Sequence, residues 1–228
     1  MTNTQAVCTE TDIKPETAPL PAHETVYRQL RDLVLFGELA PGQAVTIQGI
    51  TEALSAGVTP VREAIRRLTA EGALEFQGNR RVCVPQLSVE NVNELIFARQ
   101  AIEPQLASRA AERADDESVA RLIDIDTRLD QAIVNGDVQS YLELNYRFHT
   151  TIYDLADAPI LQAIARGLWL RFGPSLRVVC GRLGTQNLPD QHKEALGAFR
   201  VGDANAAAKA MREDVIQGME QVRRAISK

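Results

Sequence analysis

The chain has 228 residues, 45% hydrophobic and 24% charged, with a formal net charge of −5. That length and balance describe an ordinary globular chain able to bury a core, and without a run of 18 apolar residues it has no membrane-spanning segment. A negative sum argues against nucleic acid only when the charge is spread evenly, because phosphate meets a local footprint.

Residues 1–22, "MTNTQAVCTETDIKPETAPLPA", lack both a basic start and an apolar stretch, so they read as a disordered arm rather than a secretory signal. Cys8, Cys83 and Cys180 lie far apart and form no CxxC or zinc-finger spacing, so reduced thiols and a cytoplasmic location are expected. Over residues 23–36, Val26, Leu30, Leu33 and Val34 recur at helical spacing and predict an amphipathic helix ended by Gly37. A second short helix is predicted at about residues 47–55, with Ile50, Ala53 and Leu54 inward. In "TPVREAIRRLTAEGAL", Thr59 suits an N-cap and Pro60 the first helical position. Val61, Ala64, Ile65 and Leu68 make the apolar stripe, while Arg62 and Arg66 share a polar flank. "ALEFQGNRRVCVP" then reads as two short strands around a turn. Helix, helix, turn, helix and hairpin over residues 23–86 is a winged helix-turn-helix.

Such a third helix can enter the major groove with its N-terminal residues at the base edges. Arg62 is placed for a bidentate contact to guanine, and Thr59 at the helix start suits a phosphate. Arg80 and Arg81 at the wing tip can reach the backbone or minor groove. Between residues 59 and 81 there are five arginines against three glutamates, a locally basic surface on an acidic chain. Solvated side chains are the plainer account of Arg66 and Arg67.

"TPVREAIRRLTAEGAL" resembles the recognition helix of GntR-family transcription regulators, and residues 23–86 follow that family's DNA-binding domain. The resemblance implies a double-stranded DNA operator, an inverted repeat read by a homodimer. The chain departs from the usual pattern at Val58, where a basic residue is common, in "NRR" at the wing tip, and near Gln48, where a long side chain often meets DNA.

Residues 87–228 predict helices near 89–113, 116–135, 137–156, 159–181, 189–201 and 203–225, an all-α bundle with Pro174 kinking the fourth. Polar residues fall on the apolar stripes: Arg99 and Glu103, Asn145 and His149, His192, and Asp214. Buried charge is costly unless paired or metal-bound, so several such residues point to a shared polar pocket. Plainer roles are a core histidine, a buried Asp214–Arg99 pair, or a local Arg99–Glu103 bridge.

"RQAIE", "NYRFH", "QHKEALGAF" and "GDANAAAKAMRED" resemble the motifs of the helical FCD effector domain of the FadR branch, near its VanR-type members. The resemblance implies a divalent metal, zinc, nickel or manganese, held by Asn145, His149, His192 and Asp214, and a small carboxylate effector. Asn145 stands where the family has Asp, and Asp214 where it has His. Arg99 is the expected carboxylate clamp, with Glu103, Trp169 and Arg171 lining the effector site, although core packing is the better account of Trp169. The expected function is a ligand-responsive regulator, commonly a repressor, and not an enzyme. The alternatives are a metal-dependent all-α enzyme and a DNA-binding protein that has lost its effector site.

Overall fold

The computed structural model describes residues 20–78, 81–183 and 190–227. Most of the arm expected over residues 1–22 lies outside these, as does Arg80 at the wing tip. The first helix begins one residue earlier than expected, with α1 at Ala22–Leu35, followed by α2 at Ile47–Leu54 and α3 at Val58–Ala70. Thr46 caps α2 by accepting the Gly49 N–H at 3.1 Å, and Ser55 ends it in a left-handed conformation. Ala53 is exposed rather than inward, because an eight-residue helix buries only its Ile50 edge.

Thr59 is not the N-cap of α3. Gly57 holds that position, and Thr59 lies exposed in the first turn. The helix starts early because the first turn's N–H groups have no intrahelical partner, so Pro60 at the third position removes nothing that was needed. Val26, Tyr27, Leu30 and Val34 of α1 and Val61, Ala64, Ile65 and Leu68 of α3 are buried between the two helices.

Strands β1 (Glu75–Gln77) and β2 (Arg81–Cys83) pair antiparallel as the wing, with Phe76 opposite Val82. A third segment joins them: Ala44 bridges Cys83, and the Val45 N–H donates to Val82 O at 2.8 Å.

The helical domain comprises α4 (Val89–Ala111), α5 (Asp116–Asn135), α6 (Val138–Leu155), α7 (Pro159–Leu183), α8 (Gln191–Val201) and α9 (Ala204–Ile226). Two of its breaks use one device. Gly136 and Gly202 end α5 and α8 in the left-handed conformation, and the next residues, Asp137 and Asp203, cap α6 and α9. Ser88 with Asn91 and Asp115 with Ser118 form capping boxes for α4 and α5. Helix α7 continues through Pro174.

One hydrophobic cluster runs through both domains. Helix α7 docks on α1 at Gly173, where an added Cβ would lie 2.4 Å from Leu35 O. Arg177 Nη1 donates to Phe36 O at 3.2 Å across the same seam and also reaches Gln139.

Candidate DNA-reading surface and buried polar cluster

The outer face of α3 sorts its arginines. Arg62 is exposed and has no ion-pair partner among the described residues. Arg66 pairs locally with Glu63 at 2.5 Å in an exposed bridge. Arg67 is structural: it meets Glu24 at 3.0 Å and Glu71 at 3.1 Å, and its guanidinium lies 3.5 Å over the Tyr27 ring. Tyr27 in turn donates its hydroxyl to Glu71 at 2.8 Å, tying α1 to the end of α3. Burial and the Glu71 carboxylate push the Tyr27 hydroxyl up to about 12, so it stays a donor. Gln48 is exposed on α2 with its amide on Glu52, and Arg81 is exposed at the start of β2.

Inside the helical domain, α6, α8 and α9 bring His149, His192 and Asp214 together, with one ligand atom from each within 4.8 Å of the others. His149 Nε2 lies 3.2 Å from Asp214 Oδ2, and His192 Nε2 lies 3.8 Å from Asp214 Oδ1. Both imidazoles are buried, and the Asp214 side chain keeps 23% of its exposure. Burial pushes the Asp214 carboxyl up, but His149, then His192 and Arg99, outweigh it and hold it well below the usual carboxylate range. Nitrogen and oxygen ligands at about 2 Å from one divalent ion lie roughly 3–4 Å apart, so this donor set fits a zinc-type or manganese-type ion. Asn145, half-buried one turn before His149 on α6, lies on the same helix but is not itself tied to the three by any described contact.

Arg99 and Glu103 meet each other first. Arg99 Nε and Nη2 donate to the two Glu103 oxygens at 2.5 and 3.0 Å, and the pair is almost fully buried. The Arg99 guanidinium also lies 4.2 Å from the Phe172 ring and 5.1 Å from the Trp169 ring. The fork expected to clamp an effector is therefore occupied, as the local-bridge reading had it, and Glu103 points its second oxygen to within 3.6 Å of His149 Nδ1. Trp169 is a core residue, 2% exposed, donating its indole N–H to the Tyr153 hydroxyl at 3.0 Å and lying 5.1 Å from the His149 ring. Arg171 faces elsewhere. It is exposed, its guanidinium covers Gly72, and it lines a groove of about 710 Å³ between the winged domain and α4 and α7.

Asp126 of α5 escaped the sequence reading. It is 3% exposed and lies 3.2 Å from His192 Nδ1. The signal was present: Asp126 follows Leu122 by four residues and precedes Leu129 by three, on the buried stripe of α5.

The chain matches the FCD domain family over residues 94–216 and the family "Bacterial regulatory proteins, gntR family" over residues 22–84. The chain belongs to the GntR family of bacterial regulators and carries an FCD domain. It is 30% identical over 197 residues to the HTH-type transcriptional regulator McbR of Escherichia coli strain K12, spanning 85% of this chain and 89% of McbR. The HTH-type transcriptional repressor RspR of the same strain is 25% identical over 218 residues, 94% of this chain and 93% of RspR. Among solved structures, E. coli McbR/YncC superposes with a TM-score of 0.83 at 24% identity, covering 90% of this chain and 99% of that one. A putative GntR regulator from Rhodococcus sp. RHA1 gives 0.70 at 20% identity, with 88% and 96% covered. These likenesses establish the winged helix-turn-helix and helical FCD fold of this GntR regulator, and its relatives are transcriptional regulators rather than enzymes. No helix among the described residues is long and apolar enough to cross a membrane.

Proposed function

We propose that this GntR regulator is a metal-dependent repressor that binds an inverted-repeat DNA operator as a homodimer and responds to a small carboxylate in its helical domain. The observation that carries the reading is the buried His149–His192–Asp214 cluster, three donors from three helices. A divalent ion held by two neutral imidazoles and one carboxylate keeps a net positive charge and open positions, so a monoanionic carboxylate completes it. Asn145, one turn before His149 on α6, is the candidate for a fourth ligand through its amide oxygen. Zinc, nickel and manganese all accept this mixture.

Arg99 has a different role from the clamp its position first suggested. Held by Glu103 and packed beside the Phe172 and Trp169 rings, it forms a rigid wall, and the effector carboxylate goes to the metal's open positions. On the DNA side, Arg62 carries base recognition, with Thr59, Gln48, Arg66, Arg80 and Arg81 as backbone contacts. Repression is supported by relatives such as RspR and GlaR of E. coli, both described as repressors. A dimer is supported by exposed apolar side chains on two helices that pack together, Phe97 on α4 and Ile160 and Ile164 on α7.

The test is an anisotropy titration of labelled promoter DNA with protein purified without chelator, after stripping, and after reloading with zinc, nickel or manganese. The expected result is about one metal per chain, and a carboxylate that weakens DNA binding only in the loaded protein. Metal-free protein from a chelator-free preparation, with a carboxylate response unchanged in His149→Ala, overturns the metal. DNA binding indifferent to chelator and to every carboxylate favours a regulator without an effector site.

A further inference from the structure

Each imidazole of the cluster has a carboxylate behind it, and the two carboxylates differ. Glu103 lies 3.6 Å from His149 Nδ1, with both oxygens already held by Arg99, and His149 Nδ1 has no hydrogen-bond partner among the described residues. Asp126 lies 3.2 Å from His192 Nδ1, within hydrogen-bond distance. Its other oxygen accepts Lys193 Nζ at 2.6 Å. The same lysine reaches Asp130 at 2.7 Å and Asp190 at 3.2 Å, both on the half-exposed outer side.

An ionised carboxylate only accepts, and a neutral imidazole has one N–H and one lone pair. With Asp126 on its Nδ1 side, His192 keeps the proton there and turns the Nε2 lone pair towards Asp214. Lysine only donates, so Lys193 claims one oxygen of residue 126 and leaves the other for His192. The His192 ring is also fixed from its face, stacked 3.9 Å from Phe148.

We propose that Asp126 is a positioning residue that sets the His192 tautomer and orients its Nε2 as a metal ligand, with Lys193 deciding which atom of residue 126 faces the ring. This rests on reading the cluster as a metal site. Asp126→Asn is the decisive change because it is nearly isosteric and has a single oxygen. Lys193 takes that oxygen, the amide NH₂ faces His192 Nδ1, and the ring must move its proton to Nε2, where the lone pair is lost to the metal.

Zn²⁺ affinity, measured on the full-length protein by competition with a chromophoric chelator, is expected to fall about 10–100-fold in Asp126→Asn. Asp130→Asn removes a carboxylate from the same lysine without touching His192, and is expected to leave the affinity within about twofold, the scatter allowed for a distant surface change. The double change Asp126→Asn with Lys193→Met frees the amide to turn its oxygen to Nδ1 and recovers most of the loss, which a purely structural role for Asp126 does not predict. In ¹⁵N spectra of stripped protein, taken alkaline enough that the ring is neutral, wild-type His192 is expected as the Nδ1–H tautomer and Asp126→Asn as Nε2–H. A wild-type Nε2–H tautomer overturns the proposal without any variant, and so does an Asp126→Asn protein with unchanged tautomer and zinc affinity. Wild-type protein that binds no zinc overturns the metal reading instead, and the tautomer measurement then still decides the role of Asp126.

Discussion

Arg62 and Arg67 share one helix and part in their partners. Arg62 offers an unengaged guanidinium on the exposed face of α3, whereas Arg67 is consumed by Glu24, Glu71 and the Tyr27 ring. Arg62→Ala is therefore expected to weaken operator binding by about 1–3 kcal/mol and to relax preference at one base position, with an unchanged melting temperature. Arg67→Ala is expected to lower the melting temperature instead, with about 0.5–1 kcal/mol lost from the stacking on Tyr27 alone. Anisotropy against permuted half-sites and a thermal melt separate the two, and a reversed pattern overturns both assignments. Spacing in the sequence puts Arg62 and Arg66 on one polar flank with Arg67 further round, but it cannot show that Arg67 reaches Glu24, which lies on another helix. The cluster was legible to the same degree. His149, His192 and Asp214 fall on apolar stripes that periodicity exposes, whereas Asp126 sits among Asp124, Asp130 and Glu117 and so looks like one more member of a solvated acidic face.

At the scale of elements, the helices of the effector domain were readable because their ends carry their own chemistry, Gly then Asp at two of the breaks. The third wing segment around Ala44 was not, since a single bridge and two backbone bonds leave no alternating pattern to read. Helix α7 holds an informative pair of glycines. Gly167 has no described atom within 4 Å of an added Cβ, while at Gly173 that Cβ would meet Leu35 O at 2.4 Å. Helix propensity alone favours alanine at both sites, by up to about 1 kcal/mol. Gly167→Ala is accordingly expected to stabilise the protein by a fraction of that figure. Gly173→Ala is expected to destabilise it by about 1–3 kcal/mol, because the contact is with backbone that cannot rotate away. Thermal melts of the two single variants check the contrast. Hydrogen exchange should locate the Gly173→Ala loss at residues 33–37 of the α1–α7 seam, and a melting temperature raised by Gly173→Ala would show that the two helices do not approach this closely.

The whole molecule joins its two halves through α7. On one side of that helix, Trp169 and Phe172 pack against His149 and Arg99; within two turns, Gly173 and Arg177 carry the end of α1, and Arg171 covers Gly72 just past α3. On the proposed metal-dependent reading, α7 is the element through which a change in the polar cluster is expected to reach the winged domain. Linkage fixes the consequence: whatever factor zinc imposes on operator affinity, the operator must impose on zinc affinity, and such factors are commonly about 5–150-fold. Arg177→Ala removes the donor to Phe36 O without touching the cluster. It is expected to leave zinc affinity in free protein unchanged and to shrink both coupling factors together towards one. Zinc titrations with and without operator, set beside operator titrations with and without zinc, give the two factors independently. A variant that keeps the full coupling removes the Arg177 contact from the route between the domains, and a variant in which only one factor shrinks violates the thermodynamic cycle and exposes a population that is not at equilibrium.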